Sequence, residues 1–188
     1  MILEGLVATT NADGTPHLAP MGPRVTADMQ SFVLRPFPTS QTYRNLANHG
    51  EGVFHITDDV LLLAKAAIGK ATVAHVNPAT EIRGWVLEDC CRYFEFRATS
   101  IDDSTARITI PVEVVRSGRF REFFGFNRAK HAVLEAAILA TRLHMLPKAD
   151  VTAEYAKFRI IVGKTGGPAE HEAMAFLEDH LANYREAP

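Results

Sequence analysis

The sequence predicts an α+β protein in which a small antiparallel β-barrel precedes a set of helices. About six short segments rich in β-branched and aromatic residues, separated by short turns, occupy residues 1–120. Such a chain can close into a barrel, which removes exposed strand edges. From Arg128 onward the pattern changes to helical spacing without a flexible linker. We therefore expect a barrel domain over residues 1–127 and a helical extension over residues 128–188 packed on it.

The first three strands are expected to form an antiparallel meander. Residues 2–10 and 17–21 flank the sequence Asn11-Ala12-Asp13-Gly14-Thr15-Pro16, in which Asp-Gly is a strong hairpin signal. Gly22-Pro23 then turns the chain toward a third strand at residues 31–35.

Residues 31–56 predict a strand, a hydroxyl-rich turn, a short helix and another strand. Thr39 and Ser40 stand where the helix should begin, and such side chains cap free backbone N–H groups. Asn48 and Gly50 supply its stop. Three apolar residues at helical spacing predict its buried face: Tyr43, Leu46 and Ala47.

This stretch has the composition of an anion site. A helix N-terminus presents free N–H groups and a partial positive charge. Thr39, Ser40 and Thr42 add hydroxyl groups at that end, and Arg35 supplies a guanidinium suited to phosphate. Arg44, one turn further, could do the same. The alternative is that the hydroxyl groups are ordinary caps and Arg35 is a solvated strand end.

The remaining segments follow the same barrel-then-helices order. Residues 60–67 fit a short helix or a buried strand, and residues 68–84 read as a connection with little structure. A hairpin is expected from residues 91–100 and 106–116. Helices are expected over residues 129–146, 151–162 and 169–184, with the last one amphipathic.

A second stretch, residues 121–130, leads into the long helix. Asn127 is a good cap, and the cations Arg128 and Lys130 follow in the first turn. Cations at a helix N-terminus are unfavourable unless an anion offsets them, so we expect an anion there. Three phenylalanines in this stretch could form a wall for a flat ring or a core patch: Phe123, Phe124 and Phe126.

Composition excludes several function classes. A net charge of −2 and a pI of about 6.4 argue against a general nucleic-acid binder and against docking on acidic membranes. We expect no transmembrane helix and no secretory signal, because no long apolar run and no basic leader region occur. The only cysteines, Cys90 and Cys91, are adjacent, which favours a reducing cytoplasm. The dispersed histidines predict no metal site.

Two motifs resemble the flavin-binding split-barrel superfamily. The hairpin with Asp13-Gly14-Thr15-Pro16-His17 and Ala19-Pro20-Met21 precedes a run from Arg35 to Leu46 that is similar to that superfamily. Within it, the sequence most resembles a family of uncharacterised bacterial and archaeal proteins with a helical extension. The segments 85–90 and 125–133 carry that resemblance.

The resemblance implies a split β-barrel that binds FMN, and a homodimer with the flavin near the interface. By position in the motif, the implied cofactor-binding residues are Arg35, Thr39, Ser40 and Thr42 at the phosphate, His17, Ala19 and Met21 near the ring or ribityl chain, and Asn127, Arg128 and Lys130.

A flavin-dependent oxidoreductase of unknown substrate is the function we expect, with NAD(P)H as one candidate electron donor. No residue stands out as an acid or base, which suits hydride transfer to a flavin. A non-catalytic flavin carrier or sensor is one alternative. The other is a structural module without flavin, in which Arg35 and Arg128 serve only in salt bridges.

Overall fold

The computed structural model describes residues 1–72, 75–105 and 107–185, which form two compact units. The first unit contains Met1–Thr57 and Thr72–Phe123. The second contains Asp58–Ala71 and Phe124–Pro188. A domain boundary at residue 127 stays a prediction.

The first unit is built on an antiparallel sheet with one helix, α1 (Gln41–His49). Seven strands form this sheet in the order β2-β1-β5-β8-β9-β4-β3. A second sheet pairs β6 with β7. The strands are β1 Gly5–Thr10, β2 Pro16–Met21, β3 Arg24–Val25, β4 Ser31–Leu34, β5 Glu51–Ile56, β6 Val76–Pro78, β7 Trp85–Leu87, β8 Arg92–Ala98 and β9 Ile110–Arg119.

The two ends of the large sheet are joined through residues 1–3. β1 and β2 pair from Thr10 opposite Pro16 to Gly5 opposite Met21. The same register continues past the strand ends, because the Leu3 N–H donates to the Pro23 carbonyl at 3.2 Å. β2 and β3 are therefore two halves of one bent strand, and β3 pairs with β4. The predicted barrel and the predicted β1–β2 hairpin are confirmed, while the third predicted strand, β4, pairs with β3 and β9 and not with β2.

A cluster of aromatic rings fills the interior of this barrel. Phe32 lies 5.6 Å from Phe54 and 5.3 Å from Phe96, measured between ring centroids. Phe54 in turn stacks on Phe94 at 6.4 Å. All four rings are buried, and three strands supply them: Phe32 lies on β4, Phe54 on β5, and Phe94 and Phe96 on β8.

Helix α1 begins and ends where the sequence predicts. The Ser40 Oγ accepts a hydrogen bond from the Tyr43 N–H at 3.1 Å, and Gly50 ends the helix with φ of 66°. The predicted apolar face is wrong at Ala47, which is exposed. The buried face carries Thr42 and Asn45 beside Leu46, because the helix packs polar groups against the β1–β2 hairpin.

Two other expectations for this unit need correction. Residues 68–84 were expected to have little structure, yet β6 lies within them and pairs with β7 through backbone hydrogen bonds. β6 has only three residues, one of them a proline, so its sequence carries no strand pattern. The strand expected over residues 106–116 is β9, which begins at Ile110 and continues to Arg119. Ala106 lies outside the described residues.

The second unit consists of helices α2 (Val60–Ala67), α3 (Arg128–Ala140), α4 (Lys148–Thr165) and α5 (Pro168–Asn183). Residues 60–67 are thus a helix, capped by the Asp59 side chain. The predicted helix over residues 129–146 ends early, at Ala140, before a turn. The small residues on the buried face of α3 allow close packing, and the Tyr155 hydroxyl donates to the Ala136 carbonyl at 2.7 Å. None of these described helices is long and apolar enough to cross a membrane.

Both cysteines are buried in the first unit and neither forms a disulfide. Burial, and then the neighbouring Cys91, raise the pKa of the Cys90 thiol to about 12. The Arg121 Nη1 lies 3.2 Å from the Cys91 Sγ. Cys90 is therefore a neutral thiol at physiological pH.

His55 is a fully buried histidine that joins three strands. The Leu87 N–H donates to the Nε2 of His55 at 3.1 Å, so that nitrogen is an acceptor. The Nδ1 therefore carries the proton and donates to the Leu6 carbonyl at 3.3 Å. Burial lowers the pKa of His55 to about 4, although the Leu6 carbonyl opposes this shift.

We predict that His55 makes stability fall on acidification. Its pKa is about 4 when folded and about 6.5 when unfolded, so the unfolded chain binds the extra proton between these values. The contribution of His55 to the free energy of unfolding should be fully present above pH 6.5. It should fall by about 3 kcal/mol by pH 4. Urea unfolding of the protein and of His55→Gln at several pH values measures this, and equal pH slopes would contradict it.

Candidate functional site

The loop between β4 and α1 brings several predicted residues to one helix N-terminus. Ser40 is committed to the backbone, since its Oγ donates to the Phe37 carbonyl at 2.8 Å and caps the helix. Thr39 is exposed, whereas Thr42 is only 1% exposed and offers little surface to a ligand. The first turn of α1 contains no acidic residue. This end of the helix is thus free to attract an anion.

Arg35 follows the last residue of β4 and carries an unsatisfied donor. Its Nε is buried without a hydrogen-bond partner, a state shared among the described residues only by the Trp85 Nε1. A buried donor on a charged group costs free energy when it is left unpaired. An acceptor bound beside Arg35 would remove that cost.

A second arginine, Arg107, contacts the loop between β4 and α1. Its Nη1 donates to the Arg35 carbonyl at 3.3 Å, and its guanidinium carbon lies 4.4 Å from the centroid of the Phe37 ring. Sequence reasoning missed Arg107, because 72 residues separate it from Arg35 and no local motif marks it. Arg107 therefore contacts the loop at both Arg35 and Phe37.

The predicted residues of β2 share one strand face beside this helix. His17, Ala19 and Met21 alternate with the buried Leu18, as the sequence predicts. A surface cavity of about 440 Å³ is lined by His17 together with Asn11, Ala12, Asp13 and Gln41. Burial, and then the charge of Arg44, lower the pKa of His17. His17 is therefore neutral at physiological pH.

A buried amide holds α1 against the hairpin at this cavity. The Asn45 Nδ2 donates to the Thr9 Oγ1 at 3.0 Å and to the Asn11 Oδ1 at 3.1 Å. Gln41 donates to the Asn45 Oδ1 at 2.7 Å and accepts from the Arg44 Nε at 3.2 Å. The i, i+4 spacing of Gln41 and Asn45 on one helix face is the sequence signal for this contact.

The other three predicted residues, Asn127, Arg128 and Lys130, lie at the start of α3 in the second unit. Asn127 caps the helix by accepting from the Lys130 N–H at 3.1 Å, and its Nδ2 donates to the Thr165 carbonyl. The charge pattern predicted an anion here, and a carboxylate of the chain itself lies beside one of the cations. Lys130 pairs with Glu170 at 3.0 Å and donates to the Asp58 carbonyl at 2.6 Å.

Glu170 completes this junction of helix ends. Its Oε2 accepts from the Gly167 N–H at 2.8 Å, which caps α5. Burial raises the pKa of Glu170, but the hydrogen bonds from Lys130 and Gly167 outweigh burial and hold the pKa below its usual value. Arg128 is exposed, and its side chain has no polar partner among residues 1–72, 75–105 and 107–185.

The phenylalanines before α3 are not a core patch. Phe124 is 88% exposed and Phe126 is 96% exposed, while Phe123 is about half exposed. The Phe124 N–H donates to an Asp58 carboxylate oxygen at 2.9 Å, which fixes the backbone of this segment. Two large rings are therefore presented to solvent by an anchored backbone.

Several solved structures share this fold. A crystal structure of an FMN-bound DUF447 protein from Methanosarcina mazei matches with a TM-score of 0.85 and 20% identity, covering 95% of this chain and 94% of that one. Flavoredoxin from Methanosarcina acetivorans matches with a TM-score of 0.53 and 14% identity over 63% and 69% of the two chains. The flavin reductase component of a bacterial two-component tryptophan halogenase gives 0.55 and 10% over 65% and 82%. The fold is that of the split-barrel flavin reductases, with C-terminal helices.

Family models cover both parts of the chain. The N-terminal domain of a family described as protein of unknown function (DUF447) matches residues 3–121, and a second model of that family matches residues 127–179. The chain belongs to the DUF447 family. The resemblance drawn from the two sequence motifs is confirmed.

We predict that the Lys130–Glu170 pair stabilises the second unit. Lys130→Met would leave the largely buried Glu170 carboxylate without its cation and should lower the free energy of unfolding by about 2 kcal/mol, between exposed and fully buried pairs. Urea unfolding measures this change. The exposed pair of Lys65 with Glu172 is the matched control, and Lys65→Met should cost less than about 1 kcal/mol. Equal costs for both variants would contradict the prediction.

Proposed function

We propose that the protein binds FMN and acts as a flavin-dependent oxidoreductase. One observation carries this proposal: the buried Nε of Arg35 has no partner, in the loop that leads into a helix whose first turn lacks acidic residues. A phosphate dianion supplies the acceptor that this donor needs. The FMN-bound DUF447 structure with nearly complete coverage supports the choice of ligand.

The side chains of the first unit have the chemistry that FMN binding requires. Arg35 would bind the phosphate, with the free N–H groups of α1 and the exposed Thr39 beside it. The neutral His17, with Ala19 and Met21 on the same face of β2, would lie near the ring or the ribityl chain. Thr42 and Ser40 would act mainly through the structure of the helix start. The assignment of Asn127, Arg128 and Lys130 to this site stays a prediction.

Bound flavin would supply the hydride and electron chemistry, and the protein would supply binding and electrostatics. The flavin reductase found among the structural matches supports an oxidoreductase. A flavin carrier or sensor is the alternative. Consumption of NADH or NADPH by the purified, FMN-loaded protein with an added electron acceptor favours the enzyme, and bound FMN without turnover of either favours the carrier.

We also propose a homodimer that covers the exposed phenylalanine segment, residues 123–126. Large apolar side chains this exposed are uncommon on monomers and are typical of interfaces, where aromatic residues contribute most of the binding energy. The unbonded, buried cysteines are consistent with the proposed location in a reducing cytoplasm.

We predict that Arg35→Ala weakens FMN binding about tenfold to a hundredfold, because one charged hydrogen bond contributes about 1.5–3 kcal/mol. Titration followed by flavin fluorescence gives the dissociation constant. Arg24 is an exposed arginine of the same unit, and Arg24→Ala should leave that constant unchanged. An unaltered constant in Arg35→Ala would remove Arg35 from the site, and failure of the wild-type protein to bind FMN would reject the whole proposal.

We predict that replacing both Phe124 and Phe126 by serine weakens dimerisation at least about tenfold, as expected when two interface aromatics are lost. Sedimentation equilibrium measures the association constant. Ile160 is another exposed apolar residue of the second unit, and Ile160→Ser is the matched control. The proposal fails if the wild-type protein is monomeric at high micromolar concentration, or if the double variant associates as strongly as the wild type.

A further inference from the structure

A cavity of about 390 Å³ opens at the end of the large sheet where β8 begins and β9 ends. Two arginines, a serine, a glycine and a glutamate line it: Arg92, Ser117, Gly118, Arg119 and Glu122. Its volume is within the range of small-molecule sites, and the mouths of barrels are common places for them. None of these residues belongs to the proposed flavin site.

The strand register places both arginines on the inner face of the barrel end. Arg92 and Arg119 are direct cross-strand partners, and Ser117 is the partner of Phe94. Phe94 is a core residue, and Arg92 lies two positions before it on the same strand face. The guanidinium carbon of Arg92 lies 5.0 Å from the centroid of the Phe94 ring. The aromatic core is thus followed, at this end of the barrel, by a cationic rim formed by Arg92 and Arg119.

The chain offsets the positive charge of Arg92 and Arg119 only in part. Like charges directly opposite each other on paired strands destabilise a sheet. Glu122 pairs with Arg119, but the two side chains are 79% and 64% exposed, so the pair contributes little. Arg92 has no carboxylate partner among the residues that the structure describes. An anion bound in this cavity would offset the like charges of the two arginines.

We propose that this barrel-mouth cavity binds a phosphate group, either free or carried by a small nucleotide. Two arginines that line one cavity from opposite strand positions supply guanidinium donors suited to the oxygens of a tetrahedral dianion. The Ser117 hydroxyl adds one donor. Gly118 keeps the neighbouring strand position compact, because a Cβ there would lie 2.4 Å from the Tyr93 ring.

Titration of the whole chain with inorganic phosphate, followed by the backbone amide signals in NMR, tests the proposal. Phosphate should shift the amides of residues 117–119 in a saturable way at constant ionic strength. Arg92→Gln and Arg119→Gln should each weaken that binding by about tenfold to a hundredfold. The matched control is Arg142→Gln, which makes the same charge change on an exposed turn. Adenosine monophosphate in a parallel titration distinguishes the sources, since tighter binding than phosphate assigns the site to a nucleotide.

Several results would overturn the proposal. Shifts confined to residues 39–42 and abolished by Arg35→Gln would place all phosphate binding at the start of α1. Equal weakening in Arg142→Gln would reduce the effect to net charge. Absence of saturable shifts at residues 117–119 in folded wild-type protein would reject the site outright. Circular dichroism confirms that each variant is folded before it is compared.

Discussion

The pairing of residues 1–10 with residues 16–25 in one continuous register is the constraint on which the first unit depends. Because this bent strand leaves β1 and meets β4, it turns an open sheet into a barrel. The barrel then fixes the end of β4, and with it Arg35 and the start of α1. Gly5 lies at this junction, where a Cβ would be 2.3 Å from the His55 carbonyl oxygen. The close approach of the β1 and β5 backbones therefore requires a glycine at this position.

The second unit is organised around one lysine where four helix ends meet. Lys130 reaches the chain before α2, the cap of α5 through Glu170, and the cap of α3 through its own N–H. Asn127 ties in the last turn of α4. A cation at a helix start is unfavourable by itself, yet here it receives a carboxylate from another helix. The two cations at the start of α3 therefore differ: Lys130 pairs with a carboxylate of the chain itself, whereas Arg128 is exposed.

Local patterns predicted local structure well, and long-range contacts account for what they missed. The Ser40 cap and the Gly50 stop follow from side-chain and backbone chemistry within a few residues. Arg107 could not be foreseen beside Arg35, because only the pairing of β4 with β9 brings it there. The exposure of Phe124 and Phe126 ran against composition, which favours burial of phenylalanine. The site was thus predictable at the helix start and unpredictable in the partners that surround it.

The reactivity of the buried cysteines can be used to measure local opening of the first unit. Thiolates react with alkylating reagents, whereas a buried thiol with a pKa of about 12 does not. Alkylation of Cys90 therefore requires a molecule in which the turn between β7 and β8 has transiently opened. The rate of that reaction under native conditions measures how often this local opening occurs.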